Sequence, residues 1–479
     1  MGTKMFFLKG VAFIAAARYS GILVNLLVTS ILARLLLPVD FGVIAISTVF
    51  IVFFSFLSNF GIGPAIIQFK QLTQDDFRSI FGMSFWVAVV LAFAFFLLAP
   101  LIAFFYEQPI LTNICRWLSL QVFFTTFNIV PNSLLLREKK FNIIAYRNVS
   151  IQLLCGTLAV WAAFTGWGIY ALIITPILSA IITLIVNVYY MKLSIRFKPD
   201  IAPMKLIFSY SVYQFLFDLV NYFGRNLDKL IIGKFINVAQ LGYYEKSYRL
   251  MLMPIENING VLSPVLLPYL SESQNNLGKI LLVYSRMTRI LIYISFPLAA
   301  FLFCCSEELI LLVFGSQWLE AIPCFTILTL SVATQIPTYP AGSVLQACNQ
   351  TKILFKLGNI NVAITILGLL IAVFVFGTIE SIAFAFVITA FLVAVNTLYT
   401  IYNRCFHTSM RVVLFMVIKP LLLSVVIIVV LKLLEYLVPM PFLLSLFTKC
   451  IFWLFMLFMF FQNFTEYKPL SYLSKLRKL

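Results

Sequence analysis

The chain has 479 residues, 62% of them apolar and only 11% charged. Soluble domains carry about a quarter of their residues as charges, so the composition excludes a water-soluble globular protein and points to one whose solvent is the bilayer. The net charge of +17 would suit nucleic acid, but its distribution along the chain assigns it to membrane topology.

Between polar punctuation, the first apolar runs are 11–36, 41–67, 79–106, 110–136, 144–166 and 169–191. Six more follow at 206–232, 240–269, 283–305, 317–348, 354–376 and 380–402, and then two at 411–436 and 441–464. Runs of about 20 or more residues match helices crossing a hydrocarbon core of roughly 30 Å and exceed the strands of a barrel. The expectation is an all-α integral membrane protein with about 14 transmembrane helices.

Lys4 and Lys9 precede an apolar run in the manner of a signal peptide, but the run continues past Arg18 and is expected to persist as the first span. No loop is long enough for a soluble domain, and no GxxxxGK(S/T) phosphate loop occurs, so the function is expected within the membrane and without ATP hydrolysis. Eight cysteines are scattered without a CxxC, which implies no metal site, redox framework or resident cofactor.

With the N-terminus in the cytoplasm, 25 of the 34 Lys and Arg residues fall at cytoplasmic ends, among them Arg137, Lys139, Lys140 and Arg147, and Lys468, Lys475, Arg477 and Lys478. The asymmetry fits an even number of spans with both termini cytoplasmic. The basic residues then contact anionic lipid, and nucleic acid is not expected as a partner.

Setting each residue against the one 200 positions later aligns Gly42 with Gly242, Ser47 with Ser247, Asn59 with Asn259 and Pro64 with Pro264, without a gap. Six runs separate the copies, so both enter the membrane in the same sense, as in parallel repeats about an axis along the membrane normal. The expected organisation is a lobe at 1–200, a second at 201–405, and two added helices with a basic tail at 406–479, the lobes flanking a central cavity.

The runs 206–232 and 240–269 carry most of the intramembrane charge. A charge near a helix centre costs roughly 2.5–3.5 kcal/mol on insertion scales, so these should face protein or water. At 100° per residue Asp218, Arg225 and Lys229 fall within about 40° of one another. The next run repeats the pattern with Glu245, Arg249, Glu256 and Asn259.

Folding the two runs antiparallel about Asn237 sets Asp228 level with Lys246, Lys229 with Glu245, Arg225 with Arg249 and Asp218 with Glu256. The outer pairs, Asp228, Lys229, Glu245 and Lys246, read as an outer gate or as a structural clasp. Arg225 and Arg249 share a sign and need an anion such as phosphate between them, or partners elsewhere. Asp218 and Glu256 read as an ion-coupling pair, or as neutralisers of the arginines.

Arg18, one repeat before Asp218, lies either on the opposite wall of the same cavity or at the cytoplasmic headgroups. Pro64, Pro176, Pro254, Pro297 and Pro337 are candidate kinks. Tyr213, Tyr222, Tyr244 and Tyr248 are candidates for stacking on sugars. Lys419 is expected to snorkel to the headgroups or else to contact a lipid phosphate, and His407 is expected in a cytoplasmic loop rather than in catalysis.

The stretch RNLDKLIIGKFINVAQLGYYEKSYRLMLMPIENINGVLSPVLLPYLSE at 225–272 strongly resembles polysaccharide flippases of the multidrug, oligosaccharidyl-lipid and polysaccharide exporter superfamily. The matching positions are Asn226 to Lys229, Gly233, Leu241 to Tyr244, Tyr248, Arg249, Pro264 and Pro268, and ILARLLLPVDFGVIAI and NFGIGPAIIQ form the first-lobe counterpart. The resemblance implies two six-helix lobes in a V and transport of undecaprenyl-pyrophosphate-linked oligosaccharide across the bacterial inner membrane.

It further implies a cationic cavity for the pyrophosphate, with Arg249 inside the matched motif. Arg225, just before the motif, and Arg18, one repeat before Asp218, join it as candidate pyrophosphate ligands on the geometry above. Coupling to a Na+ or H+ gradient is expected at the Asp218 and Glu256 pair, and association with a polysaccharide polymerase and glycosyltransferases is the expected partnership. A small-solute cation antiporter and a lipid-linked peptidoglycan precursor flippase are the related alternatives. An enzyme is not expected, because no catalytic acid and base set or sizeable external loop is present.

Overall fold

The computed structural model describes the backbone of residues 2–194, except 60, 61 and 70, and of residues 222–466, except 223, 225, 275 and 439. Side chains are described from Tyr19 onward within those ranges, except at 59, 261 and 263–265. The described elements are all helical.

In order they are Gly2–Leu35, Pro38–Asn59 followed by Ile62–Gln68, Gln74–Phe105, Ile110–Phe127 followed by Ile129–Arg137, Phe141–Phe164 and Tyr170–Met191. Residues 226–235 are helical, and Val238–Ser271, Leu277–Cys304 and the short Ser306–Val313 follow. A broken series, Ala321–Thr329, Val332–Thr338 and Ala341–Ala347, leads to Thr351–Ile371, Ile379–Tyr399, Arg411–Leu437 and Phe442–Phe464.

These helices overlie the apolar runs of the sequence, the seventh run lying outside the described residues before 222. Among the described residues nine helices are long and apolar enough to cross a membrane, and the pair Ala321–Thr329 and Val332–Ala347, bent by 44°, makes a tenth if it is one span. Their outer faces are apolar: Phe104 is 82% exposed and Phe415 74%. That exposure suits a lipid solvent, in which a multi-pass helical protein need only satisfy its backbone internally.

Helix ends are closed by local chemistry. The Thr73 hydroxyl accepts from the Asp76 N–H, while the Asp76 carboxylate accepts from the Thr73 N–H at 2.8 Å, and Asp75 adds charge at the positive end of the helix dipole. Thr378 and Ser381 make the same reciprocal cap for Ile379–Tyr399. Of the candidate kinks, Pro64 and Pro337 lie in short helices beside breaks, whereas Pro176, Pro254 and Pro297 sit inside continuous helices. A single lost N–H is accommodated locally there.

The chain divides into two compact units, Met1–Gly242 and Tyr243–Leu479. The core of the first gathers Ile66, Phe81, Phe127 and Val130, with the rings of Phe81 and Phe127 stacked at 4.5 Å. Arg137 donates to the carbonyls of Ile66 and Phe69 at 2.7 and 3.0 Å, satisfying the end of Ile62–Gln68.

The core of the second unit is built on Tyr284, Ile292, Val344 and Tyr402. Its hairpin of Thr351–Ile371 and Ile379–Tyr399 is stapled by amides: Asn396 donates to Asn361 at 2.8 Å, and Asn361 to the Thr397 hydroxyl at 3.2 Å. The last two helices dock on Leu277–Cys304, where Trp453 Nε1 donates to the Pro297 carbonyl at 3.0 Å and Ile427 and Leu431 cover Ala300 and Cys304.

Candidate functional site

On the helix Val238–Ser271, Glu245, Arg249, Glu256 and Asn259 recur at helical spacing and share one face within about 80°. Arg249 Nε donates to Glu245 Oε1 at 2.9 Å, one turn back on the same helix. The glutamate side chain is 11% exposed and the arginine 65%. A buried carboxylate therefore holds the guanidinium by one edge, and Nη1 and Nη2 donate to no protein acceptor among the described residues.

Two neighbouring guanidinium donors have the spacing of the oxygens of a phosphate or carboxylate, and this edge is oriented by its own helix. Glu256 is exposed on the same face. Asn259 is 2% exposed, and neither of its amide atoms finds a hydrogen-bond partner among the described residues. The stripe thus offers a cation, an acid and an amide in one line along the helix.

The other expected site residues are distributed as follows. Arg18 lies in the helix Gly2–Leu35 with its side chain outside the described residues, and Asp218 and Arg225 are outside them as well. Asp228 and Lys229 are half-buried in 226–235, where Asp228 Oδ1 accepts from the Lys229 N–H at 2.8 Å. Lys246 is half-buried, its ammonium 5.9 Å from the centre of the Phe314 ring.

The tyrosines differ from expectation. Tyr244 is fully buried and stacks on Tyr248 at 5.8 Å, and Tyr222 is buried with its hydroxyl donating to the Val49 carbonyl at 2.6 Å. Both rings are consumed in packing, so neither offers a free face to a sugar. Tyr248 is half-buried with Phe386 edge-on at 5.4 Å, and Tyr213 lies outside the described residues.

Within the first unit, Pro38–Asn59 crosses the first turn of Val238–Ser271 with backbones nearly touching. A Cβ on Gly42 would lie 1.9 Å from the Val238 carbonyl oxygen, and one on Gly242 would lie 2.0 Å from that of Pro38. Around this crossing, Gly233 sits against Ile46, Tyr106 donates to the Leu230 carbonyl at 3.3 Å, and Lys234 pairs with Glu107 at 2.9 Å. Glu107 lies in the loop after Gln74–Phe105, and the hydrogen bond and charge of Lys234 hold its carboxyl below the ordinary range.

Two further charged groups were missed from the sequence. Lys449, 1% exposed, donates to Glu308, to Glu435 at 3.2 Å and to the Cys304 carbonyl at 3.1 Å. Arg147 is held by the amides of Asn132, Asn148 and Asn187. Neither had a clear local signal, because most of the partners that define each site come from other helices.

A family of helical membrane proteins is thereby defined, and comparison with known proteins specifies it. The chain belongs to the polysaccharide biosynthesis protein family, whose pattern matches residues 31–323. It is 29% identical over 307 residues to the teichuronic acid biosynthesis protein TuaB of Bacillus subtilis (strain 168), covering 64% of this chain and 63% of that protein.

It is 26% identical to the lipopolysaccharide biosynthesis protein WzxC of Escherichia coli (strain K12), covering 68% of this chain and 67% of that protein. The matched region thus spans about two thirds of the length of these curated relatives. The fold is similar to that of the lipid II flippase MurJ, whose structure is in an inward closed conformation, with a TM-score of 0.76 at 14% identity over 94% of this chain and 99% of that one.

Proposed function

We propose that this chain is a flippase that moves undecaprenyl-pyrophosphate-linked oligosaccharide repeat units from the cytoplasmic to the outer leaflet of a bacterial plasma membrane, for assembly of a surface polysaccharide. The observation that carries the reading is the Arg249 guanidinium, fixed by Glu245 through one edge and presenting its other donors, within the region matched by the family. The names of TuaB and WzxC, which speak of teichuronic acid and lipopolysaccharide biosynthesis, support the glycan class. The fold shared with a lipid II flippase supports a lipid carrier.

In this reading Arg249, Arg225 and Arg18 bind the pyrophosphate, and Asp218 and Glu256 couple transport to a Na+ or H+ gradient. Asp228, Lys229, Glu245 and Lys246 form the outer gate. The lobes at 1–200 and 201–405 alternate access, 406–479 is an addition, and both termini are cytoplasmic. No bond is made or broken, and a polymerase and glycosyltransferases work alongside.

Replacing Arg249 and Arg225 together with alanine tests the assignment. Loss of glycan export at normal membrane levels is expected, and normal export would remove the phosphate role.

A further inference from the structure

Arg147 differs in what holds it from the cations that pair with carboxylates among the described residues. Arg78, Lys140, Lys234, Arg249 and Arg289 each meet a carboxylate, at 3.1, 2.7, 2.9, 2.9 and 3.4 Å. Arg147 meets amide oxygens only. Its Nη1 donates to Asn187 Oδ1 and, at 3.4 Å, to Asn132 Oδ1; its Nε and Nη2 donate to Asn148 Oδ1 at 3.1 and 2.8 Å. No carboxylate pairs with it among the described residues.

The holder is built rather than incidental. Asn187 is completely buried, and its amide nitrogen donates to Asn128 Oδ1 at 2.8 Å, which fixes the oxygen toward the guanidinium. Asn128 sits at the break between Ile110–Phe127 and Ile129–Arg137, so the network ties that break to Phe141–Phe164 and Tyr170–Met191. Amide dipoles orient the cation but leave its full charge uncompensated.

The amide nitrogens of Asn132 and Asn148 donate to no protein acceptor among the described residues, so the same cluster also offers neutral donors. Arg147 stands six residues into its helix, roughly 9 Å along the axis at 1.5 Å per residue. In the orientation set by the basic residues this is the cytoplasmic boundary of the membrane, where lipid phosphates lie within reach of a long side chain.

We propose that Arg147, with Asn132 and Asn148, is a binding site for a lipid-borne phosphate in the cytoplasmic leaflet. The phosphate is either that of an anionic phospholipid or the pyrophosphate of the polyprenyl carrier; the second source rests on the flippase reading, and the first does not. The uncompensated charge and the one Nη2 N–H that the asparagines leave over supply the attraction, and the free amide N–H groups of Asn132 and Asn148 add neutral donors.

The test is native mass spectrometry of the purified full chain, titrated separately with phosphatidylglycerol, undecaprenyl pyrophosphate and phosphate-free diacylglycerol. Arg147→Gln removes the charge. Asn148→Asp keeps the fold's hydrogen bonds but supplies the carboxylate that is missing, so it tests the site even where Arg147→Gln folds poorly. Both are expected to weaken one or both phosphate lipids by about tenfold or more, the scale of a lost charge-assisted bond, without changing diacylglycerol.

Loss confined to phosphatidylglycerol names the phospholipid as the ligand, and loss confined to undecaprenyl pyrophosphate names the carrier. Unchanged affinity for both lipids in both variants would overturn the proposal. The assay needs no transport, so a failure of the flippase reading would show in glycan export and not here.

Discussion

Gly42 and Gly242, separated by the repeat offset, each press against the carbonyl at the other's helix start: Gly42 against Val238 and Gly242 against Pro38. Pro38 and Val238 are themselves 200 residues apart, so the crossing is two-fold symmetric in sequence. Only glycine permits backbones this close, a recurrent device where helices pack in lipid.

Alanine at either position should force the helices apart at a cost of about 1–3 kcal/mol, as overpacking does. The expected result for Gly42→Ala is a lower melting temperature. A cysteine at Ile46, which is fully buried and packed on Gly233, should then react faster with an impermeant maleimide. Unchanged melting and labelling would show that the crossing yields without consequence.

Beside the crossing, the Glu107–Lys234 pair makes a pH prediction. Because the carboxyl is held below its usual value of 4.5, its stabilising contribution is present above that pH and lost as pH falls through the lowered value. Glu107 is exposed, so salt should also screen the pair. Thermal melts of wild type and Glu107→Gln should differ at neutral pH in low salt and converge in acid. A difference that widened in acid would contradict the pairing.

Lys449 is the buried counterpart. With Lys449→Met, Glu308 keeps only the Ser445 hydroxyl, which donates to it at 2.7 Å, and loses its counter-charge. The expected loss is about 3–5 kcal/mol, the cost of stranding one member of a buried pair. Changing Glu308 to Leu in the same chain should recover much of that loss. Equal instability of the single and double variants in denaturant titrations would contradict the account.

Periodicity and length made the helices legible, because each span must satisfy its backbone by itself and so announces itself as an apolar run. The offset that aligned Gly42 with Gly242 could be read; that each would sit on the other's neighbour could not, since it depends on how distant helices cross. The Glu245–Arg249 spacing was open to reading as a within-helix pair, yet an antiparallel register drew attention to partners across the hairpin instead. Arg147 counted only as a topology marker. Its asparagine partners are 15 and 40 residues away as well as adjacent, and nothing in composition separates such asparagines from ordinary loop residues.

The central claim is transport of a lipid-linked glycan through the Arg249 stripe, and the leaflet distribution of the lipid-linked repeat unit tests it most directly. Cells lacking this chain would be compared with cells restored by wild type or by Arg249→Ala. The account predicts repeat units accumulating on the cytoplasmic side, relieved by wild type and not by Arg249→Ala at equal membrane level. An unaltered distribution in cells lacking the chain, with redundant exporters removed, would contradict it.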